Sequence, residues 1–165
     1  MIVIADTSPI HYLVLVGHVD VLQKLYKRVL IPGAVAMELQ AASTPPAVKT
    51  WITAAPDWIE VRTVTDPDEP ALTDLDPGER EAIVLAEHVN ADAVIIDDRA
   101  GRQEAQRRHL RVIGTVRVLD DAAEAGLLNP IVALDKLQAA GFYLDAGLVS
   151  FLTERHNARS REKKV

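Results

Sequence analysis

The chain has 165 residues, of which 48% are hydrophobic and 25% charged, with a formal net charge of −6 and no cysteine. This length suits one domain with a core of ordinary size, and the absence of cysteine excludes disulfides and thiolate metal sites. No apolar run approaches the roughly 20 residues of a membrane span, and the amino terminus enters an apolar strand without a positively charged leader, so a cytoplasmic protein is expected.

Residues 2–5 are wholly apolar, as in a strand buried on both faces of a parallel sheet. After Asp6-Thr7-Ser8-Pro9 the pattern becomes helical, with Ile10, Leu13 and Val14 on one face and Gly17 as a stop. A short helix over residues 19–26 and a strand over 28–31 follow, the strand ended by Pro32-Gly33. The next helix runs through Val35, Glu38 and Leu39 to about Ala42, and another starts at Pro45-Pro46. Residues 59–64 alternate as a half-exposed strand, whereas 65–73, with Asp66-Pro67-Asp68-Glu69-Pro70, lack periodicity and read as a loop. Asp76-Pro77-Gly78-Glu79 opens a helix with Ala82, Ile83, Ala86 and Val89 inside, and its Glu81 and Glu87 read as solvated. A strand over 93–96, a helix over 101–109, a strand over 111–113 and a helix over 115–125, stopped by Gly126, come next. Helices over 130–140 and 145–157, the latter capped by Asp145, complete a domain of residues 1–157, and 158–165 form a flexible basic tail. Alternating strands and helices predict a single three-layer α/β/α domain with a mostly parallel central sheet and C-terminal helices.

Charge is unevenly spread. Residues 99–117 hold six arginines against the single acid Glu104, and 155–165 hold five basic residues against Glu162. These local patches keep a nucleic-acid partner open despite the acidic total, against the plainer reading of a solvated helix face.

Acidic residues recur where a buried strand ends or a helix begins. Asp6 ends the first strand, and because Thr7 and Ser8 could cap the following helix, Asp6 is free to bind a metal or act as a base. Asp97 and Asp98 end another buried strand and repel each other, so either Arg99 or Arg102 or a cation must hold them. Adjacent side chains in an extended segment point apart, so one of the two is expected to face the site. Glu38 lies beyond the end of the second strand, on the same rim, and would otherwise pass as a surface helix residue. Glu79 fits a capping box with Asp76 as N-cap and Pro77 at the first helical position. Sites in such sheets form beyond the carboxyl ends of the strands, where Asp6 and Asp97-Asp98 should meet. Oxygen-only ligands select hard cations, hence Mg²⁺ or Mn²⁺. No phosphate-binding glycine loop is present, and the five histidines show no zinc-ligand spacing, so a nucleoside triphosphatase and a zinc enzyme are disfavoured.

Together, Ile4-Ala5-Asp6-Thr7-Ser8-Pro9, Ile31-Pro32-Gly33-Ala34-Val35-Ala36-Met37-Glu38-Leu39, Asp76-Pro77-Gly78-Glu79-Arg80-Glu81-Ala82-Ile83 and Ile95-Ile96-Asp97-Asp98-Arg99-Ala100-Gly101-Arg102 resemble the PIN-domain nucleases, and more closely their VapC-like toxin branch. The resemblance spans nearly the whole chain. It places the family's acidic quartet on Asp6, Glu38, Glu79 and Asp98 or its neighbour Asp97, with Thr7 or Ser8 as a supporting hydroxyl. Glu79 stands where many relatives carry Asp, which lengthens one arm of the site. The resemblance implies a Mg²⁺- or Mn²⁺-dependent endoribonuclease, with RNA held by Arg99, Arg102, Arg107 and Arg108. It also implies a homodimer and, for a toxin, a small cognate antitoxin. The alternatives are a PIN-fold RNA- or protein-binding scaffold with little or no nuclease activity and, from a third class, an α/β phosphotransfer or nucleotide-binding protein.

Overall fold

A computed structural model of the chain describes residues 1–65 and 70–162. In chain order the elements are β1 (Ile2–Ala5), α1 (Thr7–Leu15), α2 (Val21–Leu25), β2 (Arg28–Pro32), α3 (Gly33–Glu38), α4 (Pro46–Thr53), β3 (Ile59–Arg62), α5 (Pro77–His88), β4 (Ala93–Ile95), α6 (Arg99–Arg107), β5 (Val112–Ile113), α7 (Thr115–Glu124), α8 (Pro130–Ala139) and α9 (Ala146–Glu162). The five strands form one sheet in the order β3-β2-β1-β4-β5, and every pair is parallel.

The apolar strands are explained by two cores, one on each face of the sheet. Side chains alternate along a strand, so Val3 and Ala5 enter one core while Ile4 enters the other. The first core adds Ile10 and Leu13 of α1, Val48 and Ile52 of α4, Val118 and Leu119 of α7, Leu134 and Leu137 of α8 and Leu152 of α9. The second adds Ala82, Ile83 and Leu85 of α5 and Ala105 of α6. A three-layer α/β/α domain with an all-parallel sheet results, as the alternating pattern predicts.

Several boundaries differ from the sequence reading. Helix α3 ends at Glu38 instead of near Ala42, because the chain tightens there: Ala41 N–H donates to the Glu38 carbonyl at 3.1 Å and the Thr44 hydroxyl donates to it at 2.9 Å. Helix α6 starts at Arg99, two positions before Gly101, because the Asp98 carboxylate accepts from the Ala100 and Gly101 amides as its cap. Strand β3 stops at Arg62, at the sheet edge. Asp145 caps α9 through the Gly147 and Leu148 amides, as expected, but the helix continues past Asn157 to Glu162. Residues 158–162 of the basic tail are therefore helical, and 163–165 lie outside the described residues. Of the expected loop, 66–69 also lie outside them, and Pro70–Leu72 form one 3-10 turn. Glu81 and Glu87 are not simply solvated: Glu81 accepts from the Ala34 amide at 2.9 Å, and Glu87 pairs with Arg108 at 2.9 Å. The first of these bonds ties α5 to the amino end of α3.

Candidate metal centre

The strand order reverses its direction of growth between β1 and β4, and a crevice opens beyond their carboxyl ends. Asp6 follows β1 directly, and its amide donates to the Ile95 carbonyl of β4 at 2.9 Å, which fixes it at the floor of this crevice. Although Asp6 occupies the N-cap position of α1, its side chain makes no capping bond. The residue is 4% exposed, and its Oδ1 is buried without a hydrogen-bond partner. Burial, reinforced by Asp76, Glu79 and Glu38 against the opposing Thr7 amide, raises the Asp6 pKa well above the usual carboxylate value. A charged oxygen left this way is costly unless a cation completes it.

Glu38 arrives from the last turn of α3. Its Oε1 accepts from the Gly78 amide at 2.9 Å, and its Oε2 accepts from the Thr7 hydroxyl. Gly78 is required for this approach, since a Cβ there would lie 2.6 Å from Glu38 Oε2 and 3.0 Å from Thr7 Oγ1. Asp76 caps α5 through Oδ1, which accepts the Glu79 amide at 2.9 Å. The carboxylate oxygens of Asp6, Glu38 and Asp76 come within 4.8 Å of one another. Among the described residues this trio is the one group spaced to grip a metal. Glu79 is 6% exposed, and burial, with Asp76 and Asp98 nearby, pushes its pKa up to about 7.

Asp97 and Asp98 divide their tasks. Asp98 is held as the α6 cap, at 2.7 Å from the Ala100 amide. Asp97 turns towards the start of α7, accepting the Thr115 amide at 2.8 Å and the Thr115 hydroxyl at 2.6 Å. Burial raises the Asp97 pKa, and the Thr115 bonds, Arg102 and Ser8 oppose that shift. Both residues border the crevice, and neither belongs to the trio of Asp6, Glu38 and Asp76. One open cavity of about 750 Å³ is bordered by Asp6, Glu38, Asp76, Glu79, Asp97 and Asp98.

A protein-family model described as a PIN domain matches residues 2–158. The chain belongs to the PIN-domain family. No curated protein matches it. The PIN assignment accords with the all-parallel sheet and with an acidic cluster at the strand ends, and it supports a nuclease-type fold of a family that typically uses divalent metals.

All five acids picked from the sequence therefore border the PIN-domain crevice, but Asp76 was missed as a member of the trio. Its capping role explained it fully in the sequence, and a cap uses only one of two carboxylate oxygens. Thr7 and Ser8 support carboxylates, Glu38 and Asp97 respectively. Arg102 approaches Asp97 and donates to the Ile96 carbonyl at 3.2 Å, whereas Arg99 is exposed in the first turn of α6. Arg107 and Arg108 lie at the far end of α6 and pair with Glu104, each at 2.7 Å. These bonds lower the Glu104 pKa to about 2.

The donors fit a hard divalent cation: they are all carboxylate oxygens, and the innermost, Asp6 Oδ1, has no protein partner.

Proposed function

We propose that this PIN domain is a metal-dependent endoribonuclease that hydrolyses RNA phosphodiester bonds. The observation that carries this reading is the buried Asp6, whose Oδ1 has no partner and whose carboxylate converges with Glu38 and Asp76 at the sheet's reversal point. Asp6, Glu38 and Asp76 would hold Mg²⁺ or Mn²⁺, with Glu79 and Asp98 beside them. Such a cation supplies Lewis-acid polarisation of a phosphoryl oxygen and a water more acidic than in bulk.

The chain's own residues prepare the site. Thr7 and the Gly78 amide hold the Glu38 carboxylate in one orientation, and the α5 cap does the same for Asp76. Asp98 and Asp97 are fixed by the starts of α6 and α7. Little reorganisation is then needed when a substrate binds. Hydrolysis adds a water oxygen to phosphorus and breaks one P–O bond, and the departing oxygen takes up a proton.

The decisive experiment incubates the purified protein with RNA in Mg²⁺ or Mn²⁺, beside Asp6→Asn. Metal-dependent cleavage lost in the variant is expected; cleavage that survives the substitution would sink the site assignment, and no cleavage of any RNA would favour a scaffold.

The finer reading, a VapC-like toxin silenced by a small cognate antitoxin and working as a homodimer, is supported by the motif resemblance. It predicts a small open reading frame beside the gene whose product copurifies with this chain and blocks cleavage.

A further inference from the structure

A second cavity, of about 490 Å³, adjoins the acidic crevice and shares Asp97, Phe142 and Tyr143 with it. Its lining carries both signs of charge. Among the described residues the acidic crevice has no lysine or arginine in its wall, whereas Arg102, Arg117 and Arg155 line the second cavity against Asp97 and Asp120. Arg155 is committed to Asp120 at 2.6 Å and Glu124 at 2.7 Å. Arg117 bonds Asp121 through Nε, and its side chain is 59% exposed.

Aromatic groups are displayed at the same place. Phe142 packs edge-on against Tyr12, with ring centroids 5.0 Å apart, and Leu144 is buried. Between these two anchors Tyr143 is 86% exposed, so the backbone that presents it is held while the ring meets solvent. Phe151 of α9, 59% exposed, borders the same cavity. Single exposed aromatics are ordinary, but here two stand beside arginines in a cavity that adjoins the acidic crevice. A polyanion is repelled by six carboxylates and attracted by arginines, so its contacts beyond the metal would be made on this side. The volume suits a nucleotide.

We propose that this second cavity is a nucleotide subsite: a base of single-stranded RNA stacks on Tyr143 and Phe151 while Arg117 and Arg102 contact its phosphate. The proposal rests on the ribonuclease reading only for the identity of the polymer. A base paired in a duplex cannot present its face to these rings, so unpaired RNA is the form selected.

The test measures fluorescence anisotropy of a labelled single-stranded RNA of about eight nucleotides with the full chain in EDTA, so that binding is read without cleavage. An abasic oligomer of equal length and charge is the control. Tyr143→Ala should weaken RNA binding roughly tenfold, Tyr143→Trp should restore it, and Phe151→Ala should act in the same direction as Tyr143→Ala. Abasic binding should be insensitive to both aromatic positions. Arg117→Ala should weaken RNA and abasic oligomer alike and flatten the salt dependence. Both rings are exposed, so these variants are expected to fold. No binding by the unaltered chain, or equal RNA binding by Tyr143→Ala, would overturn the subsite, and the latter would leave the face to a protein partner. Cleavage in Mg²⁺ is scored separately. Stacking without cleavage keeps the subsite and defeats the nuclease; Asp6-dependent cleavage with Tyr143→Ala binding unchanged does the reverse.

Discussion

The Glu38 carboxylate rests on the backbone of Gly78, accepting its amide at 2.9 Å while the other oxygen lies 2.6 Å from where a Cβ would stand. This contact joins the end of α3 to the first turn of α5 and sets the spacing of Glu38 and Asp76. Gly78→Ala must push the Glu38 side chain aside. A carboxylate can swing, so the stability loss should be modest, about 1 kcal/mol for the lost hydrogen bonds. The metal site should suffer more. Calorimetric Mg²⁺ or Mn²⁺ titration should show at least tenfold weaker binding with the thermal midpoint lowered by only a few degrees. Unchanged metal affinity would mean that Glu38 is not a ligand.

Asp6→Asn should separate stability from metal binding. It replaces a carboxyl group whose ionisation is opposed by burial and by three other carboxylates, and leaves a side chain that can donate to Glu38 or Asp76. Without metal the variant should melt higher than the parent, by about 2–4 °C for each kcal/mol of relieved destabilisation. The stabilisation of the parent by added Mg²⁺ should disappear. A variant that melts lower in EDTA would show that the Asp6 charge is already compensated within the protein.

Stability without metal should fall as pH rises. The Glu79 pKa stands near 7 in the folded chain against 4.5 unperturbed, so between these values the unfolded chain has released a proton that the folded chain retains. Stability from this group is complete below about pH 4.5 and is lost as pH approaches about 7. Asp6, also raised, acts in the same direction. The loss from Glu79 is on the order of 3 kcal/mol before solvent screening and smaller after it. Urea unfolding across this range in EDTA should show the decline, and Mg²⁺ should offset it increasingly towards the upper end, where the carboxylates are ionised. A flat profile in EDTA would contradict the crowding of charge at the site.

Thr115 anchors Asp97 through two bonds, and the residue is fully buried. Thr115→Val preserves shape and deletes the hydroxyl bond to the carboxylate, at a cost of about 1.5–3 kcal/mol. Chemical denaturation should show that loss, and Thr115→Ser should recover most of it. Equal stability of the Val and Ser variants would remove Thr115 from the support of the site.

The sequence by itself determined the fold class and the neighbourhood of the site. Short, wholly apolar runs such as residues 2–5, bounded by turn residues, fit strands covered on both faces, and acids directly after such strands emerge at one end of a parallel sheet. Asp6 was legible for that reason, with Thr7 and Ser8 left as alternative caps. Glu38, Glu79 and the choice between Asp97 and Asp98 were not legible from local physics, because each also satisfies an ordinary helix or capping role. Only the tertiary structure decided that Asp76 joins Asp6 and Glu38, that Asp98 caps α6 while Asp97 reaches Thr115, and that Arg107 and Arg108 spend their charge on Glu104. These outcomes depend on contacts between residues far apart in the chain, above all the approach of α3 to α5 that Gly78 permits. Local pattern records which residues are apolar or charged; convergence is set by how the packed elements meet.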